Sequence, residues 1–297
     1  MADVFANTTL TIAATSSANC DEGFLSDDEP TRISIRGVTA SGQVFHVLAG
    51  PNIQLRAMYP LPVESAPTTV KAEWPLLSRG WVLQERLLSP RTLHMTAREI
   101  MWECGRRTKS QSHGSVIFYD LQRPFPPPPP EPNHSELSPL WVAWYEVITE
   151  YSRLDLSVPS DKLPAISGVA KRMAAARPGV QYLAGLWEDS LVCDLWYLDM
   201  YAWDPEKEKR LSKGSPVIQD RAPSWSWASR DMYLRFAGLE EYANGFEPLI
   251  EILGIECEPG TTDPTGSVLA GSSLTAKGQA IDVEIDTTAM TYQRVGL

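Results

Sequence analysis

A chain of 297 residues, 43% hydrophobic and 21% charged, holds enough apolar material for one large packed domain or two smaller ones, which excludes a disordered polypeptide. No apolar run approaches the roughly 20 residues that span a bilayer, and Met1 to Thr15 is uncharged apart from Asp3, unlike a basic signal segment. A net charge of −11 and a pI near 4.9 exclude nucleic acid as a natural partner, because phosphate binding needs a basic surface.

Taken in order, Met1 to Asn7 reads as the last turns of a helix, and Thr8 to Thr15 as a buried β-branched strand. An element that begins in mid-course leads to the expectation of a fragment or a divergent short chain. Arg32 to Arg36 and Gln43 to Leu48 alternate like two strands joined through Gly37 to Gly42, with His46 inside the second as a hydrogen-bonded structural histidine, catalysis being the competing reading. Pro51 to Pro75 is expected as an extended connection.

The stretch from Ser78 to Cys104 predicts one helix and a hairpin. Trp81, Leu83, Leu87 and Leu88 fall near one helical face, and Ser89-Pro90 ends the run because a residue before proline is pushed out of the helical region. Thr92 to Met95 and Ile100 to Trp102 are short extended runs around the turn Thr96-Ala97-Arg98-Glu99. Arg79, Glu85, Arg86 and Glu103 sit among tryptophans and leucines, so at least one of the two glutamates is expected to pair with an arginine. Glu85 and Glu103 are the acid/base candidates, and Arg79, Trp81, Arg86 and Trp102 the binding candidates. A structural ion-pair network is the competing reading of the same residues. A Cys104–His94 pair is conceivable across the hairpin, with a buried structural thiol as its alternative.

Beyond Cys104, Gly105 to Ser115 is basic, polar and unpatterned, and Pro126 to Pro130 is a run of five prolines that suits a stiff spacer or a docking segment. Leu140 to Leu154 predicts an amphipathic helix whose core face is Trp141, Trp144, Tyr145, Ile148 and Tyr151. Asp161 is expected to cap the next helix, with Leu163, Ile166, Val169, Ala170 and Met173 buried and Pro178-Gly179 closing it. Gly185 to Val192 reads as a short helix carrying a weaker acidic pair, Glu188 and Asp189, and Leu195 to Leu198 as a strand. Tyr201 to Val217 reads as a loop. Arg221 to Ser229 reads as a strand with Trp225 and Trp227 on one face, and Leu249 to Cys257 with Ser272 to Ile285 as an antiparallel pair.

RGWVLQERLLSPRTLHMT-x-x-x-x-MWEC, from Arg79 to Cys104, resembles the central signature of the fungal heterokaryon incompatibility (HET) domain. Met1 to Ser16, Tyr151 to Lys171, Leu183 to Glu188 (LAGLWE) and Arg221 to Ser229 (RAPSWSWAS) resemble flanking blocks of that family in the same order. The resemblance implies a part in fungal self/non-self recognition, vegetative incompatibility and programmed cell death. HET domains are compared with Toll/interleukin-1-receptor domains, some of which cleave NAD through a glutamate. That comparison belongs to a region upstream of Met1 in the family, whose aromatic, Trp-Ile-Asp-like and acidic-helix motifs do not occur here, so NAD cleavage is not expected.

The expected fold class is α+β, a mixed sheet with packed helices and a β-rich C-terminal part. The expected layout is 1–123 as the signature-bearing part, 124–136 as a proline-rich linker or insertion, and 137–297 as a helical segment followed by strands. The first functional reading is a HET-type signalling protein with a protein partner or a second copy. The alternative is an enzyme of fungal small-molecule metabolism, working on a small apolar ligand with its carboxylates in an aromatic pocket. Cys20, Cys104, Cys193 and Cys257, without C-x-x-C spacing, are expected as buried free thiols of a cytoplasmic protein. The four histidines are isolated in sequence, and neither a metal nor a cofactor is expected.

Overall fold

Arg91 to Met95 and Ile100 to Cys104 alternate inward and outward side chains, and around this hairpin the first half of the protein assembles. The computed structural model describes residues 1–24, 33–49, 74–97, 99–105, 107–111, 114–116, 125–126, 138–199, 203–204, 209–210, 216–236, 249–278, 283–286 and 291–294. The expected connection from Pro51 to Pro75 (but for Trp74 and Pro75), most of the proline run and most of the 201–217 loop lie outside them. The chain divides into two units, Met1–Pro124 and Phe125–Leu297. Helices and several sheets, one of them mixed, make the fold α+β.

In the first unit, helix α1 (Ala2–Ala6) leads into β1 (Thr11–Ala13). A separate hairpin follows, β2 (Ile33–Val38) and β3 (Val44–Ala49), paired antiparallel. A 3-10 turn (Pro75–Ser78) precedes helix α2 (Gly80–Leu88). Then come β4 (Arg91–Met95), β5 (Ile100–Cys104), β6 (Arg107–Ser110) and β7 (Gly114–Val116). These last four and β1 form one sheet in the order β1-β4-β5-β6-β7, with β1 parallel to β4 and the rest antiparallel.

The helix and hairpin of the signature stand where its residues placed them. Gly80, Val82, Leu83, Gln84 and Leu88 are the buried positions of α2, and Trp81 and Leu87 are only half-buried. Thr96 closes the turn, its hydroxyl donating to Glu99 O at 2.6 Å and accepting from Glu99 N at 3.1 Å. The basic stretch after Cys104, read as unpatterned, supplies two further strands. Its inward residues there are Thr108 and Ser110, both buried, so its alternation is polar against polar and invisible to a hydrophobicity count. Thr8 to Thr15 shrinks to a three-residue strand with Ile12 exposed, because β1 is the sheet's edge.

In the second unit, helix α3 (Pro139–Ser152) buries Trp144, Tyr145, Ile148 and Tyr151, while Trp141 stays partly exposed. Two 3-10 turns, Pro159–Lys162 and Pro164–Ile166, precede α4 (Ser167–Ala176). Leu163, Ile166, Val169, Ala170 and Met173 are all buried as expected, but Asp161 caps no helix. Proline at 164 delays the regular helix by a turn, and Ile166 takes the cap position.

The expected helix from Gly185 is a tight hairpin instead. β8 (Tyr182–Leu183) and β9 (Leu186–Trp187) flank Ala184 and Gly185, at φ 49° and 99°. Positive φ at both central positions is the signature of a type I′ turn, whose twist matches the strands on either side. Only from Glu188 does the chain coil, through a 3-10 turn into α5 (Leu191–Asp194). β10 (Tyr197–Asp199) follows, two residues later than read. The short pair β11 (Trp203–Asp204) and β12 (Lys209–Arg210) comes next.

RAPSWSWAS is not a strand. The Ser226 hydroxyl accepts from Ala228 N at 3.1 Å and opens a 3-10 turn over Trp227–Ser229. A serine side chain that bonds its own backbone competes with sheet pairing. β13 (Leu234–Phe236) pairs with β10. The C-terminal part is β-rich: β14 (Ile250–Glu256) pairs antiparallel with β15 (Ser273–Gly278), and β16 (Val283–Asp286) with β17 (Thr291–Arg294).

The core of this unit is aromatic. Trp144 and Tyr182 meet Trp187 edge-on, and Tyr151 meets Trp227 the same way. The I′ turn sits at its centre. Gly185 O accepts from Trp144 Nε1 at 3.0 Å and Trp227 Nε1 at 3.1 Å, and Ala184 O accepts from Ser226 Oγ at 2.6 Å. The LAGLWE and RAPSWSWAS segments, distant in sequence, are thus bonded to one another through one turn.

Candidate functional site

Glu103 is the hub of the signature. It lies on the inward face of β5, with Met101 beside it and Thr92 opposite on β4. Arg86 reaches it from the last turn of α2 in a two-pronged pair, Nε to Oε2 at 2.6 Å and Nη2 to Oε1 at 2.8 Å. The His94 Nε2 atom lies 2.9 Å from Oε2. The other nitrogen, Nδ1, lies 3.0 Å from Thr15 Oγ1, just beyond β1. Guanidinium, carboxylate, imidazole and hydroxyl therefore form one chain, drawn from α2, β5, β4 and the end of β1.

Electrostatics fixes the protonation states. Burial alone would raise the Glu103 carboxyl; the Arg86 charge and the His94 hydrogen bond more than offset it and hold the group well below the usual carboxylate range. Burial pushes the His94 imidazole down, against the pull of Glu103. The neutral ring then donates from Nε2 to ionised Glu103 and accepts from the Thr15 hydroxyl at Nδ1. Hydroxyl, imidazole and carboxylate in a row are the parts of a nucleophilic triad. Here Thr15 and His94 are each 1% exposed, and the row clamps the end of β1 to β4 and β5.

The remaining candidates do not join it. Trp102 is paired with Leu93 on the opposite face of the hairpin, so its ring and the Glu103 carboxylate point to opposite sides of the sheet. Trp81 is half-buried on α2, and Arg79 is exposed at its start. Glu85, also half-buried, is raised by burial and partly lowered by Arg79. Cys104 stands opposite Arg91 rather than His94, because the register pairs His94 with Met101. Of the cysteines, Cys193 alone is buried; Cys20 is exposed and Cys104 and Cys257 are partly so, against the expectation of four buried thiols. His46 lies 3.2 Å from Ser34 Oγ by its Nδ1, as a hydrogen-bonded strand residue. No cluster of His, Cys, Asp or Glu suited to a metal occurs among the described residues.

Sequence reasoning missed a second polar cluster, in Phe125–Leu297. Asp194 is fully buried and accepts from the Tyr145 hydroxyl and from Trp187 N, the latter at 2.8 Å. Burial pushes its carboxyl up to about 7, with the Tyr145 and Trp187 donors opposing. Asp189, one of the weaker acidic pair, bonds buried Arg177, whose guanidinium lies over the Trp187 ring at 4.7 Å. Glu188 Oε2 accepts from Gln181 N at 3.3 Å. Nothing in the spacing of Tyr145, Arg177 and Asp194 marks them in advance, since they meet only through the tertiary fold.

The clamp has a pH signature. His94 is held neutral below its unfolded value of about 6.5, and Glu103 ionised below its unfolded value of about 4.3. Both contribute stability that is present above those unfolded values and lost as pH falls. The melting temperature is expected to drop from pH 7 to pH 5. A single group such as His94 can contribute at most about 1.4 kcal/mol per pH unit to that slope. His94→Gln should flatten that limb, and the difference between the two melting curves across pH isolates it from other acids. Identical curves would refute a neutral buried imidazole.

No family model, curated protein or solved structure matches the chain.

Proposed function

We propose that this chain is a HET-type signalling protein of fungal self/non-self recognition, acting in the cytoplasm through a protein partner or a second copy in the cell death of vegetative incompatibility. One observation carries the reading: Glu103, one of the two acid/base candidates, is locked between Arg86 and His94 in a buried clamp, on the face of the hairpin opposite Trp102. The ordered resemblance from Arg79 to Cys104 and in its flanking blocks supports it. So does the β2–β3 hairpin. On one of its faces Ile33, Ile35, Phe45 and Val47 stand together, each at least 44% exposed. A lone two-stranded hairpin is marginal in water, and exposed apolar patches mark interaction sites.

The alternative, an enzyme of small-molecule metabolism, draws on Glu85. Its carboxyl, raised by burial, has the character of a general acid.

Inducible expression in a fungal host separates the two. The wild type should arrest growth, and Glu85→Gln should arrest it equally. Ile35→Lys/Val47→Lys should abolish both the arrest and the concentration-dependent association seen by sedimentation. A wild type that leaves growth unaffected, with small-molecule turnover that Glu85→Gln abolishes at an unchanged melting temperature, would instead favour the enzyme reading.

A further inference from the structure

Two buried cations in Phe125–Leu297 converge on a single oxygen. Lys162, at the end of its 3-10 turn, and Arg221 have side chains 4% and 3% exposed. Lys162 Nζ lies 3.6 Å and Arg221 Nη1 2.8 Å from Asp231 Oδ1, and the Asp231 side chain is 62% exposed. Elsewhere the Arg221 fork is fixed by its Nε donating to Ala228 O at 2.7 Å. Its Nη2 atom is enclosed and has no hydrogen-bond partner among the described residues. Lys162 is anchored by its own carbonyl, which accepts from the Tyr151 hydroxyl at 2.7 Å, and its ammonium lies 5.5 Å from the Tyr151 ring centroid.

A purely structural ion pair does not need this arrangement. Burying a cation is costly unless it is paired and fully hydrogen-bonded, and here the shared carboxylate lies mostly in water while guanidinium donor capacity stays unused. A planar fork beside an ammonium is, by contrast, the donor set for an oxyanion.

We propose that Lys162 and Arg221 form a binding site for the carboxylate or phosphate group of a small ligand, and that Asp231 occupies it as an internal stand-in which the ligand displaces. The incoming oxyanion takes the place of Asp231 Oδ1 on Lys162 Nζ and Arg221 Nη1. Asp231 swings into the water that already surrounds most of it. Displacement makes Asp231 a competitor, and removing its charge should tighten binding.

The test uses the full chain with inorganic phosphate and acetate as probes, against chloride at matched ionic strength. Asp231→Asn, at an exposed position, should lower the melting temperature in chloride and regain it in phosphate or acetate. Its affinity for the better probe should exceed that of the wild type by about tenfold, the change that 1.4 kcal/mol brings. The probe giving the larger gain separates phosphate from carboxylate ligands. Lys162→Met in the Asp231→Asn background should lose the response. Equal responses of wild type and Asp231→Asn, or a melting temperature that phosphate and acetate raise no more than chloride does, would overturn the site and leave a structural ion pair.

Discussion

Gly185→Ala is expected to unfold or nearly unfold the Phe125–Leu297 unit. Its φ of 99° is one that L side chains rarely adopt, so any Cβ is strained before packing is considered. That Cβ would also stand 2.6 Å from Trp227 Nε1 and 2.8 Å from the neighbouring ring carbon. Trp227 is fully buried and cannot turn aside without moving Tyr151, which packs on it. Backbone strain of roughly 1–2 kcal/mol adds to overpacking of about 1–3 kcal/mol. Any shift of the Gly185 carbonyl also weakens two indole hydrogen bonds, worth about 1 kcal/mol each. Such a sum reaches the lower end of an ordinary domain's whole stability, roughly 5–15 kcal/mol. Urea unfolding followed by tryptophan fluorescence should show the midpoint collapse. Ala184→Gly, one residue earlier in the same turn, should change stability by no more than about 1 kcal/mol, because glycine accepts the same backbone.

The second large effect concerns the other unit. Glu103→Gln keeps the shape of the side chain but leaves Arg86, only 9% exposed, facing a neutral amide. The amide has one oxygen for a guanidinium that now uses two, and its NH₂ would point donors at donors. Breaking a buried pair by removing one partner typically costs about 3–5 kcal/mol. The figure here belongs near the lower end, since the Glu103 side chain is 15% exposed. His94, which shares Oε2 with Arg86 Nε, is left with a neutral acceptor in place of a charged one, and the Thr15–His94 link to the end of β1 should loosen with it. Hydrogen exchange at Thr15, whose amide bonds Met95 O at 2.9 Å, should quicken together with that of β4.

How much of this was legible in the residues depends on the range of the interaction. The signature is local: α2, the stop at Ser89-Pro90 and the β4–β5 hairpin follow from periodicity and one proline, and the two-residue alternation of the hairpin puts Glu103 and Trp102 on opposite faces. The Arg86–Glu103 pair follows from charges set among apolar residues. Its extension through His94 to Thr15 does not, because it depends on β1 joining the sheet in parallel, a contact made across some 80 residues. The I′ turn at Ala184-Gly185 stands where the residues read as a helix from Gly185, since alanine rarely takes positive φ and gives no sign of the turn. RAPSWSWAS alternates like a strand, yet Ser226 spends its hydroxyl on Ala228 and Ala184, and the backbone turns. The buried charges of the second unit, Lys162, Arg177, Asp194 and Arg221, left no periodic trace because their partners lie on other elements.

A double-mutant cycle on Arg86 and Glu103 tests most directly whether the signature's charges hold the fold together. Arg86→Met and Glu103→Gln should each lower stability by about 3 kcal/mol, and the double variant by clearly less than their sum, because the second change relieves the charge stranded by the first. Single variants that melt like the wild type, or losses that simply add, would contradict the clamp.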